Sequence, residues 1–201
     1  MSTLCDPATL QIVTHPHPTL RRISKPVRRV DALLRDTIRR MFELMYESRG
    51  VGLAANQVDL PLRFFIANIK ADPAEAEELV FINPVLSRPK GLEEAEEGCL
   101  SLPELYGHVT RPKRIRVNAY GLNGQEIDIE LDGLLARIVQ HETDHLDGIM
   151  YTDRMSTTGR LSVAETLDDF ETDFASRRQL GEIPSDADIE TRLIAWEKRY
   201  C

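Results

Sequence analysis

Val139-Gln140-His141-Glu142-Thr143-Asp144-His145-Leu146 is the stretch around which this 201-residue chain is organised. It contains His-Glu-x-x-His. Positions four apart share one face of a helix, so His141 and His145 can hold one metal ion together. Glu142 lies between them, where its carboxylate can take a proton from a metal-bound water. The flanks predict a helix. Asp132 is a fair N-cap and Gly148 a fair stop. Leu135, Ile138, Val139 and Leu146 form an apolar stripe that reaches the histidine side. A metal site here would sit against a core. The same pattern also occurs by chance in ordinary helices, so other parts of the chain must complete the site.

Upstream, residues 114–120 and 125–131 alternate in polarity and flank Gly121-Leu122-Asn123-Gly124, a hairpin signal. Residues 63–69 and 79–86 read as strands joined by an acidic turn over 71–78. Residues 106–109 read as a further strand. The segment 91–97 reads as an acidic, solvated loop, with Glu97 the least settled because it lies nearest Cys99. Asp31 caps a helix to about Glu47, in which Leu34, Ile38, Met41 and Met45 recur at helical spacing. Next comes Gly50-Val51-Gly52-Leu53-Ala54-Ala55-Asn56-Gln57. It is no phosphate loop, because it lacks a Gly-Lys-Ser/Thr ending and no strand precedes it. Its small residues permit close approach of another backbone or a ligand. The opening, Ile12 to Pro18, reads as an extended arm with His15 and His17 as surface loop histidines. Two helices are expected in the tail, over 163–178 and 188–200, parted by Gly181 and Pro184.

This order predicts an α+β fold: mostly antiparallel β-sheets around a central metal-binding helix, with a C-terminal helical tail. Residues 1–155 read as the catalytic domain and 156–201 as a helical extension packed on it. The net charge of −8 argues against nucleic acid as the main partner. No stretch is apolar and long enough to span a membrane. The first twenty residues carry neither a secretory nor a transit pattern, so a cytoplasmic location is expected. Cys5, Cys99 and Cys201 make no disulfide framework. Cys5 and Cys201 read as free thiols, which leaves Cys99 to explain.

A catalytic metal site has three protein ligands and one open position. No histidine follows His145. Asp147, Asp153 and Glu165 are available downstream. Upstream, Cys99 sits in Glu97-Gly98-Cys99-Leu100-Ser101, where Gly98 frees the backbone and a metal would stabilise a thiolate. A lone cysteine is more often a buried inert thiol. A cysteine nucleophile with a histidine base is a third arrangement, but it leaves the second histidine and Glu142 without roles.

Three segments together resemble the signature motifs of peptide deformylases: Gly50 to Gln57, Glu97 to Ser101, and Gln140 to Leu146. The likeness runs from near Ile12 to about Met155 and does not cover the tail. It implies Cys99, His141 and His145 as ligands of one divalent metal ion. Fe(II) is the first expectation, and zinc, nickel or cobalt suit the same set. It implies Glu142 as general base and then acid. Gln57 and the Leu100 backbone N–H would hold the formyl oxygen. Val51, Gly52 and Gly98 would border the extended substrate backbone. Leu134, Arg137 (through its methylenes) and Ile138 would wall a methionine pocket. The implied reaction is removal of the formyl group from N-formylmethionyl nascent peptides. Tyr106 stands where some bacterial relatives carry an arginine thought to touch the peptide.

Two other readings compete. A peptidase cleaving internal bonds would want a third ligand downstream of His145 and has no use for Gln57 and Cys99 together. A metal-stabilised binding module would want four protein ligands. Some deformylases dock on the ribosome through a basic C-terminal helix. Here residues 156–201 net −4, so any ribosome contact is expected to be transient, without strong nucleic-acid binding. Monomer and homodimer both remain open.

Overall fold

A computed structural model of the chain describes residues 6–75 and 77–201; Cys5 lies outside them. The first long helix, α1 (Ala32–Glu47), starts where expected. The Asp31 carboxylate accepts the Leu34 N–H at 3.1 Å, and Leu34, Ile38, Met41 and Met45 are all buried. The strands β1 (Gly52–Ala54), β2 (Phe64–Ala67), β3 (Leu79–Lys90), β6 (Arg114–Tyr120) and β7 (Glu126–Asp132) form one antiparallel sheet in the order β1-β2-β3-β6-β7. A separate two-stranded sheet pairs β4 (Glu93–Cys99) with β5 (Leu102–Arg111). The helix α2 (Gly133–Leu146) lies between them. Ala136, Val139 and Leu146 pack on Phe65, Phe81 and Val117 of the large sheet. Each such buried aliphatic side chain contributes about 1.5–3 kcal/mol.

β5 is longer than the expected strand at 106–109, and two short helices, at 151–154 and 157–162, are additional to the expected ones; two further departures bear on the sheets. β3 runs on to Lys90, past Pro84 and Pro89. Its ladder shifts register between Ile82 and Val85 and again between Ser87 and Lys90, so both prolines fall where no ladder N–H is needed. At the first shift Asn83 has φ 54°, and its side chain bonds both the N–H and the C=O of Val27 at 2.8 Å. The second departure is the expected acidic loop at 91–97, most of which is strand β4. Glu94 and Glu96 face solvent, but Glu97 points inward and is only 7% exposed.

The tail continues as α3 (Tyr151–Arg154), α4 (Thr157–Ser162), α5 (Ala164–Gln179) and α6 (Asp186–Tyr200). Val163, with Leu167 and Phe170, packs against β5 residues Leu102, Leu105 and Val109, whereas Leu161 is 71% exposed. α5 also covers His17, which is buried with its ring edge-on to Phe174 at 6.1 Å. His15 is half-buried, 3.7 Å from Glu171. Neither is a surface loop histidine. From α6, Trp196 and Tyr200 stack at 5.5 Å and join the α1 core, and Glu197 accepts from both Arg22 and Lys25. Among the described residues no helix is long and apolar enough to cross a membrane.

Because Trp196 is 1% exposed and fills the space between α6 and α1, Trp196→Ala is expected to lower unfolding stability by about 3–5 kcal/mol. Denaturant unfolding measures this. A loss below about 1 kcal/mol would mean that the tail is not part of the core.

Candidate metal centre and active-site cleft

On α2, His141 and His145 fall on one side, with their Nε2 atoms 3.2 Å apart and their rings edge-to-face. The β4–β5 hairpin supplies the third group. Gly98 pairs with Tyr106, but Cys99 pairs with Leu102, so the register breaks beside Cys99 and residues 103–105 bulge out. The break turns the thiol toward α2, where Sγ lies 3.2 Å from His145 Nε2. One donor atom from each of Cys99, His141 and His145 lies within 4.8 Å of the others. The alternative third ligands lie elsewhere. Asp147 pairs with Arg63, Asp153 with Arg21, and Glu165 is exposed on α5.

The donor set fits a divalent transition metal. It is two imidazoles and a thiol, the borderline-soft ligands that zinc or iron takes, and three ligands leave a position open. The second partners fit as well. His141 Nδ1 is 2.9 Å from Glu97 Oε2, which fixes Nε2 as the face turned to the centre. Two buried atoms here, Glu142 Oε2 and His145 Nδ1, have no partner among the described residues.

Glu97, the least settled glutamate of the expected acidic loop, is the anchor of the centre. It takes Arg111 Nε and Nη2 at 2.6 and 3.0 Å and Arg137 Nη1 at 2.7 Å, besides His141. Burial acts to raise its pKa, but the hydrogen bonds from His141 and Arg111 outweigh burial and hold it well below the usual carboxylate range. Burial likewise opposes a charge on His141, yet hydrogen bonds with Cys99 and Glu97 lift it to about 10. His145 has no carboxylate partner. Burial and the charge on His141 push it well below its ordinary value. Arg111 continues to Asp144 at 2.7 Å, and Asp144 to Arg154 at 2.6 Å. Arg111, Asp144 and Arg154 were not legible as site residues. Their one sequence signal was the closeness of Glu97 to Cys99.

Glu142 is buried beside Gly52, and a Cβ on Gly52 would collide with its carboxylate. Burial pushes Glu142 up to about 7, the range in which a carboxyl both takes and gives protons near neutral pH. Gln57 is held by its oxygen, which accepts the Ala54 N–H at 2.8 Å. Its Nε2 therefore points to Cys99 Sγ and Ser101 Oγ, both at 3.3 Å. These groups open on a cleft of about 720 Å³. Val51, Gly52, Gly98, Leu100, Leu134, Arg137 and Ile138 all line it. The Arg137 guanidinium is tied to Glu97 and to the Val109 and Glu93 carbonyls, so its methylenes are what it offers the cleft.

Comparison with known proteins agrees with this geometry. Residues 9–161 match the family model described as polypeptide deformylase. A peptide deformylase of Rhodopirellula baltica is 49% identical over 191 residues, covering 95% of this chain and 95% of the relative. One from Neisseria meningitidis serogroup C is 47% identical over 149 residues, 74% of this chain and 88% of the relative. The crystal structure of Arabidopsis thaliana peptide deformylase 1B with an inhibitor superposes with a TM-score of 0.80 at 35% identity. It covers 88% of this chain and 97% of its own.

Glu97→Gln removes the charge that orients His141. Affinity for a divalent metal is expected to fall about 10- to 100-fold, read by competition with a chromogenic chelator. Affinity unchanged within about twofold would remove Glu97 from the support of the centre.

Proposed function

The chain belongs to the polypeptide deformylase family, whose members remove the formyl group from the N-terminal formylmethionine of new polypeptides, and from that premise we propose how its residues share the reaction. Cys99, His141 and His145 hold one divalent metal ion, Fe(II) in the native protein, with zinc, nickel or cobalt as substitutes. Bound there, the ion supplies the Lewis acidity that makes water a nucleophile at neutral pH. Glu142 takes the proton of the attacking water and gives it to the leaving amine nitrogen. Gln57 Nε2, aimed into the cleft by the Ala54 bond, and the Leu100 backbone N–H hold the formyl oxygen as charge develops on it. Each such donor is worth about 2.7–4 kcal/mol in the transition state.

Substrate geometry follows from the walls. Among the described residues β4 pairs only with β5, and residues of β4 line the cleft. An extended peptide lies between β4 at Gly98 and the backbone of Val51 and Gly52. The methionine side chain enters the pocket walled by Leu134, Ile138 and the Arg137 methylenes. The observation that carries this reading is the convergence of Cys99, His141 and His145 beside the buried Glu142.

We further read residues 1–155 as the catalytic unit and 156–201 as an extension of it, supported by the shared cores of α1 with α6 and of β5 with Val163. A cytoplasmic monomer or homodimer, with transient ribosome contact and no strong nucleic-acid binding, fits a substrate that is newly made and a tail that nets −4.

The metal-loaded enzyme is expected to cleave formyl-Met-Ala and to spare acetyl-Met-Ala and internal peptide bonds, with activity abolished by chelator. Cys99→Ser should lose most activity and retain substoichiometric metal after dialysis. Full occupancy with full turnover would remove Cys99 from the ligand set. Glu142→Ala should keep its metal yet lose about 10²–10⁴-fold in rate. A metal-free variant, or one within a few-fold of wild type, contradicts its role. Iron-loaded enzyme should lose activity in peroxide faster than nickel-loaded enzyme, because Fe(II) and the thiolate both oxidise. Equal half-lives would argue against iron.

A further inference from the structure

The β4–β5 hairpin has two faces. Glu97, Leu105 and Val109 are buried on the inner one, while Glu94, Glu96, Gly98, Tyr106 and His108 are exposed on the outer. Tyr106 is paired with Gly98, and its ring lies across that glycine: a Cβ at Gly98 would come within 2.8 Å of the ring. An aromatic ring left 59% exposed on a strand is thus held in place over Gly98, which lines the cleft. Glu96, diagonal to Tyr106 on the neighbouring strand, and Glu104, in the bulge, line the same cleft. Among the described residues neither carboxylate has an ion-pair partner. Of the cations that line the same cleft, Arg137 is paired with Glu97, and Arg49, at the turn between α1 and β1, has no ion pair among the described residues. The mouth is therefore polarised, negative and aromatic on the hairpin wall.

On the reading that the formylated peptide lies extended along β4, its side chains alternate between the two faces. The methionine turns inward to Leu134 and Ile138 on α2. The next side chain then emerges on the outer face, over Gly98, where Tyr106 and Glu96 stand. A lysine or arginine there gains the ring face and the two carboxylates. A glutamate meets like charge and gains neither.

We propose that Tyr106, Glu96 and Glu104 make the enzyme select a cationic side chain at the residue that follows formylmethionine. The test is kcat/KM of the metal-loaded full chain on C-terminally amidated formyl-Met-Lys-Ala, formyl-Met-Ala-Ala and formyl-Met-Glu-Ala. Lysine is expected over glutamate by about 5- to 20-fold at low salt, mostly in KM. The ratio should shrink as ionic strength rises from about 0.01 to about 0.15 M. Glu96→Gln combined with Glu104→Gln, and separately Tyr106→Leu, should bring the lysine-to-glutamate ratio toward one. Glu96→Lys should invert it. A ratio near one in the wild-type enzyme overturns the proposal, as does a ratio that survives in all these variants. Failure to cleave any of the three peptides is a different result, and counts against the deformylase assignment of the cleft itself.

Discussion

The site depends on one buried carboxylate. Glu97 comes from β4, and its partners come from β5 (Arg111) and from two turns of α2 (Arg137 and His141). These bonds clamp the hairpin to the helix, and Cys99 is two residues further along the same strand. A carboxylate this deep is tolerated because three donors surround it. Removing one partner from a buried ion pair costs roughly 3–5 kcal/mol, since the remaining charge is stranded. The same bonds thus set the distance from Cys99 to the histidines and penalise any slip of the hairpin along α2.

Two identical residues four apart end up held differently because of this clamp. His141 Nδ1 leans on the Glu97 carboxylate at 2.9 Å, while His145 is buried without a carboxylate beside it. Asn56 Nδ2 donates to the main-chain carbonyl of His145. Gln57, the next residue, is fixed by Ala54 and points at the thiol. One short segment therefore steadies the end of the metal helix and presents a donor to the reacting group. Gly52, just before it, lets Glu142 approach the backbone.

The parts of this arrangement that were legible in sequence are those set by local rules. The spacing of His141 and His145, the turn at Gly121 to Gly124, and the stripe on α1 each declare themselves within one element. What was not legible depends on partners far along the chain. Glu97 sits among glutamates, and only its closeness to Cys99 distinguishes it from Glu94 or Glu96. It is buried because Arg111 and Arg137, 14 and 40 residues away, converge on it. β3 hid its last residues, 87–90, behind Pro89, since the bulge that accommodates it leaves no local mark. His17 read as exposed because the helix that covers it lies more than 150 residues later.

The position of α6 bears on how the molecule comes into being. Its residues Ile189, Leu193, Trp196 and Tyr200 are interior, and the carbonyl of Tyr200 accepts the N–H of Arg28 at 2.7 Å. The first core, built on α1, therefore waits for residues made some 160 positions later. During vectorial synthesis the chain leaves the ribosome with that surface uncovered, and it closes only after residue 200 has emerged. An enzyme that acts on the beginnings of other new chains thus closes the core around its first long helix with a helix made some 160 positions later.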